Sequence, residues 1–206
     1  MGTGMGLANA LRGALNHYNN SISNNPVVLM PQIDHKSPRK GLEFIGMKVV
    51  SIPGKFGKNH FAPEGTFVSI EDIMKFYAMY KENVVAIVSS NCFFAPRVPD
   101  DIKAIAKFAQ KKNIIHIVNN AYGIQSKKLN KQIRSAIDAG RIDAVVQSTD
   151  KCFLTPVGGS IVFSPNSNII DAISQSYAGR ASATPVLHLL VSLLSMGKVG
   201  YIRKME

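Results

Sequence analysis

Cysteine is scarce in this chain of 206 residues, since only Cys92 and Cys152 occur. They form no Cys-X-X-Cys pair and no disulfide framework of the kind that stabilises small secreted proteins. No stretch reaches the roughly 20 apolar residues of a membrane-spanning helix; the nearest, residues 185–196, is too short and contains His188. The N-terminus has no basic segment followed by an apolar one, as a secretory signal would. These absences predict a cytoplasmic protein without a membrane partner.

Acidic residues are also few: 13 Asp and Glu stand against 24 Lys and Arg, which gives a net charge of +11. This excess favours an anionic partner such as a phosphate cofactor, a nucleic acid or an acidic surface. Ordinary surface lysines would give the same composition. Hydrophobic residues make up 46% of the chain, which excludes a disordered protein. The five histidines show no metal-ligand spacing, and His116 is expected in the core.

Short runs rich in β-branched residues alternate with segments of helical periodicity. The predicted strands are residues 27–33, 47–52, 84–88, 114–118, 144–146 and 160–163. The predicted helices include residues 6–18, 127–139, 168–177 and 185–196. Two more helices are predicted, one that begins with a capping box at Ser69 and one that has Pro99 at its first position. Residues 19–26 and 53–65 are predicted loops from their composition.

The predicted strands are continuously apolar, which is typical of a parallel sheet covered by helices on both faces. The last two strands lie too close in sequence for a helical crossover, so one of them is predicted to be antiparallel. No internal repeat or linker is visible. The sequence therefore predicts one doubly wound α/β domain.

Polar residues follow three of the predicted strands. The runs are Ser89-Ser-Asn-Cys92, Asn119-Asn-Ala-Tyr-Gly123 and Gln147-Ser-Thr-Asp-Lys151. Because ligands of such sheets bind beyond the carboxyl ends of the strands, three polar ends together predict a shared pocket.

Lys151 is the most informative single residue, because it lies between an apolar strand and the apolar run Cys152-Phe-Leu154. A lysine held among apolar groups loses its charge more easily and can act as an imine-forming nucleophile. Gly158 and Gly159 follow closely and permit a close backbone approach.

A glycine-rich run, Gly2-Thr-Gly-Met-Gly6, precedes the first predicted helix. Backbone N–H groups and the helix dipole at such a place can hold a phosphate. The spacing approaches a dinucleotide fingerprint, with Asp34 near a later strand end. No predicted strand precedes the run, however, and its last glycine comes one residue earlier than in the Gly-X-Gly-X-X-Gly fingerprint. A dinucleotide-binding oxidoreductase is therefore the weakest alternative.

Several runs carry a family resemblance in one order along nearly the whole chain. They are Thr3-Gly-Met5, Ile33-Asp34, Lys36-Ser37, Phe94-Ala-Pro-Arg-Val-Pro-Asp100, His116-Ile-Val-Asn-Asn-Ala-Tyr-Gly123, Gln125-Ser126, Gly140-Arg-Ile-Asp143, Gln147-Ser148, Asp150-Lys151, Pro156-Val-Gly-Gly159 and Gly179-Arg-Ala-Ser-Ala183. In this order they resemble the O-phosphoseryl-tRNA(Sec) selenium transferases, or selenocysteine synthases. These are pyridoxal-phosphate enzymes of the aspartate aminotransferase fold type, fold type I.

The resemblance implies that residues 1–206 are the pyridoxal 5'-phosphate-binding large domain of a longer, homotetrameric protein whose two ends are absent here. It implies a covalent link from Lys151 to the cofactor and a substrate-phosphate contact at Arg180. The remaining cofactor contacts that it implies are Thr3, Gly4 and Met5 at the phosphate, Asn119 at the pyridine nitrogen, and Ala121 and His35 on the two ring faces. His35 stands where the family has glutamine.

The reaction implied by the resemblance converts tRNA(Sec) carrying O-phosphoserine to selenocysteinyl-tRNA(Sec). Lys151 removes the α-proton, phosphate leaves from Cβ, and selenophosphate supplies the selenium. Asp138 stands where the family has an arginine implicated in tRNA binding, and three cations of the same helix could compensate: Lys128, Lys131 and Arg134.

Two other functions stay open. One is a different enzyme of this fold type, such as a cysteine desulfurase, lyase or decarboxylase acting on a free amino acid. The other is a non-catalytic fragment that acts through assembly or RNA binding.

Overall fold

The computed structural model of the chain describes residues 1–18, 23–95, 97–180 and 182–205. Within these ranges the strands are β1 (Val27–Pro31), β2 (Lys48–Ile52), β3 (Lys55–Gly57), β4 (Gly65–Phe67), β5 (Val84–Ser90), β6 (Ile115–Asn119), β7 (Ala144–Ser148) and β8 (Ser160–Phe163). The helices are α1 (Thr3–His17), α2 (Lys36–Phe44), α3 (Ile70–Tyr80), α4 (Ile102–Lys112), α5 (Lys127–Ala139), α6 (Ser167–Ser176) and α7 (Thr184–Met205).

Six strands form the main sheet in the order β2-β1-β5-β6-β7-β8. All neighbours in it are parallel except β7 and β8, which are antiparallel with Val146 opposite Val162. The predicted antiparallel strand is therefore confirmed. It follows from the short link between β7 and β8, which leaves no room for a crossover helix.

Helices cover both faces of this sheet, as predicted. On β1, Val28 and Met30 pack in the core beneath α1, α2 and α6, whereas Val27 and Leu29 pack on the other side against α3 and α4. A third cluster joins α4 to α5. Successive side chains of a strand point to opposite faces, so a strand that is apolar throughout must be covered on both. The α/β prediction is confirmed.

Several predicted element boundaries are wrong. The helix predicted to begin at Pro99 begins at Ile102, because the Asp101 side chain accepts a hydrogen bond from the Ala104 N–H at 3.0 Å and caps it. The predicted loop 53–65 contains β3 and the start of β4, a small antiparallel hairpin. Helix α2 was not predicted. The capping box at Ser69 is confirmed. Of the predicted loop 19–26, residues 19–22 lie outside the described residues.

Helix α1 begins three residues earlier than predicted, at Thr3 within the glycine-rich run. There it crosses α2 in backbone contact. A Cβ at Gly4 would lie 2.6 Å from the carbonyl oxygen of Ser37, and one at Gly41 would lie 2.4 Å from the carbonyl oxygen of Gly4. Only residues without a side chain allow two helices to approach this closely, so these glycines fix α2 against the first turn of α1.

Helix α7 lies outside the core. By length and composition, Thr184–Lys204 could cross a membrane. Its most apolar stretch has a mean hydropathy of 1.4, and none of that stretch is buried. The sequence predicts that this helix ends at residue 196, and the backbone does kink at the next residue, since Gly197 has φ 59°. The straight part before the kink is about 20 Å long, whereas a bilayer core is about 30 Å thick. That the protein has no membrane partner stays a prediction.

Candidate functional site

The carboxyl ends of β5, β6 and β7 meet at one edge of the sheet, beside the N-terminus of α1. A pocket of about 260 Å³ opens there. Its lining comprises Gly2, Thr3, Gly4, His35, Ser37, Pro38, Phe93, Phe94, Asn119, Ala121, Tyr122, Asp150, Lys151 and Val157. The shared pocket predicted from the polar strand ends is present, and it includes most of the site residues predicted from the sequence.

Buried amides fix the loop that follows β6. The Asn91 side chain donates to Asn120 Oδ1 at 2.9 Å, and Asn120 Nδ2 donates to Gln147 Oε1 at 3.0 Å. Gln147 Nε2 donates in turn to the Ala121 carbonyl at 3.0 Å. Each amide bonds to the next, although Asn91 Oδ1 is buried without a partner among the described residues. The chain of bonds holds the ends of β5, β6 and β7 together.

Asn119 lies at the floor of the pocket, and its Oδ1 accepts from the Ala121 N–H at 3.2 Å. This bond turns the amide oxygen back to the backbone and leaves the Nδ2 donor for a ligand. Ala121 is buried and presents a methyl group to the same space. A hydrogen-bond donor beside a small apolar surface suits a flat heteroaromatic ring with an acceptor nitrogen.

Lys151 reaches the pocket, but its surroundings differ from the apolar ones inferred from the sequence. Its Nζ donates to Ser148 Oγ at 3.2 Å and lies 3.6 Å from Asp150 Oδ1. It also stands 5.2 Å from the ring centroid of Tyr122. The apolar neighbours Cys152 and Phe153 are buried instead of facing the amine. The amine is thus positioned by oxygen atoms and an aromatic face, not by an apolar cage.

The turn between β7 and β8 holds Lys151 in place. A Cβ at Gly159 would stand 2.3 Å from Thr149 Oγ1, which confirms the close backbone approach predicted there. Leu154 adopts a left-handed backbone with φ 55°, which costs about 1 kcal/mol or more for a residue with a side chain. Packing of Phe153 on Tyr201 of α7, with ring centroids 6.0 Å apart, helps to hold this strained turn.

The first turn of α1 faces the pocket with its N-terminal end. Thr3 Oγ1 is buried and has no hydrogen-bond partner among the described residues. The first N–H groups of α1, which have no partner within the helix, and the positive end of the helix dipole lie beside this hydroxyl. A buried hydroxyl without a partner costs free energy unless a ligand satisfies it. The Thr3 hydroxyl and the N-terminal end of α1 are therefore the groups of this pocket that could hold an anion.

Not every predicted contact lies in this pocket. Met5 points into a neighbouring groove. His35 does line the pocket, at the N-cap of α2, with its ring edge-on to Phe93 and Phe94. Arg180 is exposed between α6 and α7 and is not among the described residues that line the pocket.

Sequence reasoning missed several pocket residues. Ser37 and Pro38 arrive on the unpredicted α2, and Phe93 and Phe94 on the loop after β5. Ser37, Phe94 and Tyr122 stand in runs that carry the family resemblance, but the sequence predicts no role for them. Burial, and next the charge of Asp150, raises the pKa of Tyr122, so its phenol stays neutral. The signal for Phe94 was its place directly after a polar strand end.

Strand β6 rests on a buried histidine, as expected of His116. Its Nε2 lies 2.7 Å from Ser89 Oγ and its Nδ1 lies 3.0 Å from the Arg141 carbonyl oxygen. Burial lowers the pKa of His116 to about 4, so the ring is neutral at physiological pH. This residue supports the strand that carries Asn119 and does not face the pocket.

Comparison with known proteins agrees with this geometry. The family model described as O-phosphoseryl-tRNA(Sec) selenium transferase matches residues 1–206. The chain belongs to this family. It is 40% identical over its whole length to the O-phosphoseryl-tRNA(Sec) selenium transferase of Dictyostelium discoideum. The crystal structure of an archaeal O-phosphoseryl-tRNA(Sec) selenium transferase superposes with a TM-score of 0.85 at 38% identity over the whole chain.

The fold extends beyond the O-phosphoseryl-tRNA(Sec) selenium transferase family. Oryza sativa TDC, whose crystal structure contains PLP, matches 98% of this chain and 43% of its own with a TM-score of 0.72 at 12% identity, which shows the fold alone. The chain spans 42% of the Dictyostelium relative and 45% of the archaeal one, less than half of each. The match to the O-phosphoseryl-tRNA(Sec) selenium transferase family over the whole chain argues against the dinucleotide-binding alternative.

Proposed function

We propose that the chain is the cofactor-binding large domain of a longer protein that converts O-phosphoseryl-tRNA(Sec) to selenocysteinyl-tRNA(Sec) with pyridoxal 5'-phosphate and selenophosphate. The observation that carries the proposal is the family match over the whole chain, joined to a lysine in the pocket at the sheet edge. The family match also favours this reaction over one on a free amino acid.

The pocket residues fit pyridoxal phosphate. Its phosphate would lie at the first turn of α1, where Thr3 Oγ1 lacks a partner. Its ring would rest on Ala121, with His35 on the other side and the Asn119 amide donating to the ring nitrogen. When bound, the cofactor supplies an electron sink for negative charge at the substrate's α-carbon. A neutral amide donor leaves the ring nitrogen unprotonated, so we expect chemistry that needs only a moderate sink.

Lys151 would act as the base at the α-proton once its amine is free. The structure supports this role, because Ser148 Oγ at 3.2 Å and Asp150 Oδ1 at 3.6 Å fix the amine at the pocket wall. Asp150 would stabilise the ammonium formed when Lys151 takes the proton. A phosphate leaving group on the neighbouring carbon then completes an elimination, and selenium from selenophosphate adds to the resulting alkene.

Arg180 would bind the phosphate of the phosphoseryl group. A guanidinium makes paired, charge-assisted hydrogen bonds to two phosphate oxygens. Arg180 is exposed and lies apart from the pocket lining, so this role requires the segment between α6 and α7 to meet the substrate from outside the present pocket.

The tRNA itself would meet the basic surface of the protein. Helix α5 exposes Lys127, Lys128, Lys131 and Arg134, and Asp138 is the one exposed acidic residue that this helix carries. Cations on one face attract a phosphate backbone. The cytoplasmic location predicted from the sequence and the homotetramer implied by the family resemblance belong to the same proposal.

The test is turnover by the complete protein loaded with pyridoxal phosphate. Phosphoseryl-tRNA(Sec) and selenophosphate should give selenocysteinyl-tRNA(Sec), while unphosphorylated seryl-tRNA(Sec) should not. Arg180→Ala should lower turnover roughly tenfold to several hundredfold, since hydrogen bonds to charged groups contribute about 1.5–3 kcal/mol each. Arg180→Lys should recover little of it. A fully loaded protein that forms no product, or that uses both tRNAs alike, would contradict the proposal.

A further inference from the structure

Four rings surround the mouth of the pocket: His35, Phe93, Phe94 and Tyr122. Phe94 lies at their centre, with its ring centroid 4.4 Å from Phe93, 5.9 Å from His35 and 6.1 Å from Tyr122. The contacts with His35 and Tyr122 are edge-on. Phe94 nevertheless stays 59% exposed. Its neighbours therefore hold the ring in one orientation and leave much of its surface open to a ligand.

Phe94 lies close to the Lys151 amine, with the Tyr122 ring between them. The Tyr122 ring is 5.2 Å from Lys151 Nζ, and Phe94 is the next ring outward. In an aminoacyl-tRNA the carboxyl group of the amino acid is esterified to the ribose of the terminal adenosine. Only a few covalent bonds separate the α-carbon from the adenine. An amino acid that reacts at Lys151 therefore brings its adenine to the mouth of this pocket.

The groove beyond His35 provides a path for the rest of the strand. It shares His35 and Ser37 with the pocket and continues past Lys36, Lys40 and Phe44. Both lysines are exposed, and within the described part of the chain neither forms an ion pair. Exposed aromatic rings beside cations are the combination that binds single-stranded nucleic acid.

We propose that Phe94 is the platform on which the terminal adenine of the phosphoseryl-tRNA stacks, with the preceding nucleotides in the groove past His35. This inference rests on the proposed function, because only a tRNA-linked substrate carries the adenosine. An aromatic side chain under a nucleobase binds by stacking, whatever the base. Phe94 thereby positions the ester end of the substrate while Lys151 reacts at the other.

Two small substrates distinguish an effect on adenine stacking from an effect on the reaction at the amino acid. One is O-phosphoserine esterified to the 3'-hydroxyl of adenosine, and the other is the methyl ester of O-phosphoserine. The complete, cofactor-loaded protein should prefer the adenosine ester in kcat/KM by roughly fivefold to 150-fold, the range that stacking on one aromatic side chain gives. Phe94→Leu keeps an apolar side chain but removes the ring, so this preference should disappear. Phe94→Trp should keep it.

Phe56→Leu is the matched control, because Phe56 is 73% exposed on β3 and lies outside the pocket lining. It should keep the wild-type preference. A second readout needs no turnover: phosphoseryl-tRNA ending in 2-aminopurine should lose fluorescence on binding, and Phe94→Leu should restore the fluorescence.

Each result decides between outcomes. A preference or a quenching that persists in Phe94→Leu overturns the proposal. An equal loss on both esters, with a shifted cofactor absorbance, means that Phe94 packs on the cofactor, and this also overturns it. If the wild-type protein uses both esters equally, the stacking contact is absent while the proposed function stands. If it uses neither ester nor phosphoseryl-tRNA, the proposed function itself fails.

Discussion

A side chain at Gly4 should force α1 and α2 apart. A Cβ there would lie 2.2 Å from Ser37 Oγ, 2.6 Å from the Ser37 carbonyl oxygen and 2.9 Å from the carbonyl carbon. The hydroxyl can rotate away, but the carbonyl belongs to the backbone of α2. Gly4→Ala must therefore shift the first turn of α1, which carries Thr3 at the proposed cofactor site.

The expected loss follows from two opposing contributions. Overpacking of this kind costs about 1–3 kcal/mol, whereas Gly→Ala within a helix returns about 0.5–1 kcal/mol. The difference is a loss of up to about 2.5 kcal/mol, and because the clash is with backbone atoms we expect Gly4→Ala to lower the free energy of unfolding by about 1–2 kcal/mol. Affinity for pyridoxal phosphate should also fall, because the N–H groups of the first turn move with the helix.

Urea denaturation and an absorbance titration with pyridoxal phosphate measure the two effects. Gly200→Ala is the control: it also lies in a helix, but the nearest atom to its Cβ is Met196 Cβ at 3.5 Å. It should leave stability unchanged or raise it by up to about 1 kcal/mol. Adding Ser37→Ala to Gly4→Ala should recover only part of the loss. Full recovery, or a Gly4→Ala protein as stable as the wild type, would refute the backbone clash.

Three further outcomes are expected. Borohydride reduction of the cofactor-loaded protein should label the peptide containing Lys151, and a label on another lysine would exclude its role. Asn119→Asp should protonate the ring nitrogen and deepen the electron sink, so the variant should convert free alanine to pyruvate faster than the wild type; an unchanged rate would contradict the assigned amide contact. His116 is neutral in the folded protein down to about pH 4, whereas the unfolded chain binds this proton near pH 6.5. The contribution of His116 to the free energy of unfolding is therefore fully present above pH 6.5. It is lost as the pH falls towards 4, and the total loss is about 3 kcal/mol. His116→Asn should remove that part of the pH dependence in urea denaturation, and an identical profile would refute it.

The sheet and the position of the pocket could be predicted because their signals are local. Runs such as Val84–Ser90 are buried on both faces, so their composition alone indicates a central parallel strand. The polar residues after each strand then fall at one edge. The same signals predict the position of Lys151 at that edge, but the apolar surroundings predicted for its amine are wrong. Its neighbours in space, Ser148 and Asp150, are its neighbours in sequence, but sequence alone does not show that they face the amine.

Helix α2 and the hairpin of β3 and β4 could not be predicted, because tertiary contacts and strand pairing decide them. Helix α2 is mostly polar and buries only Pro38, Gly41 and Leu42. The position of α2 depends on the backbone contact between Gly4 and Gly41. Such a contact leaves no periodic pattern of apolar residues in the sequence. In the hairpin, Phe56 is exposed, so the alternation of a half-buried strand is missing.

Strand β8 explains how the two ends of the proposed cofactor site keep a fixed distance. The turn that carries Lys151 leads directly into β8, whose antiparallel pairing places Ser160 opposite Ser148. Ser160 Oγ also donates to the Met1 carbonyl at 3.0 Å, at the start of α1. Strand β8 thus contacts both the segment that leads to Lys151 and the segment that leads into Thr3. A parallel strand in its place would begin at the other edge of the sheet and could not follow a turn this short. Within the described part of the main sheet, β8 is the antiparallel strand, and it therefore holds the turn that carries Lys151 close to the segment that leads into Thr3.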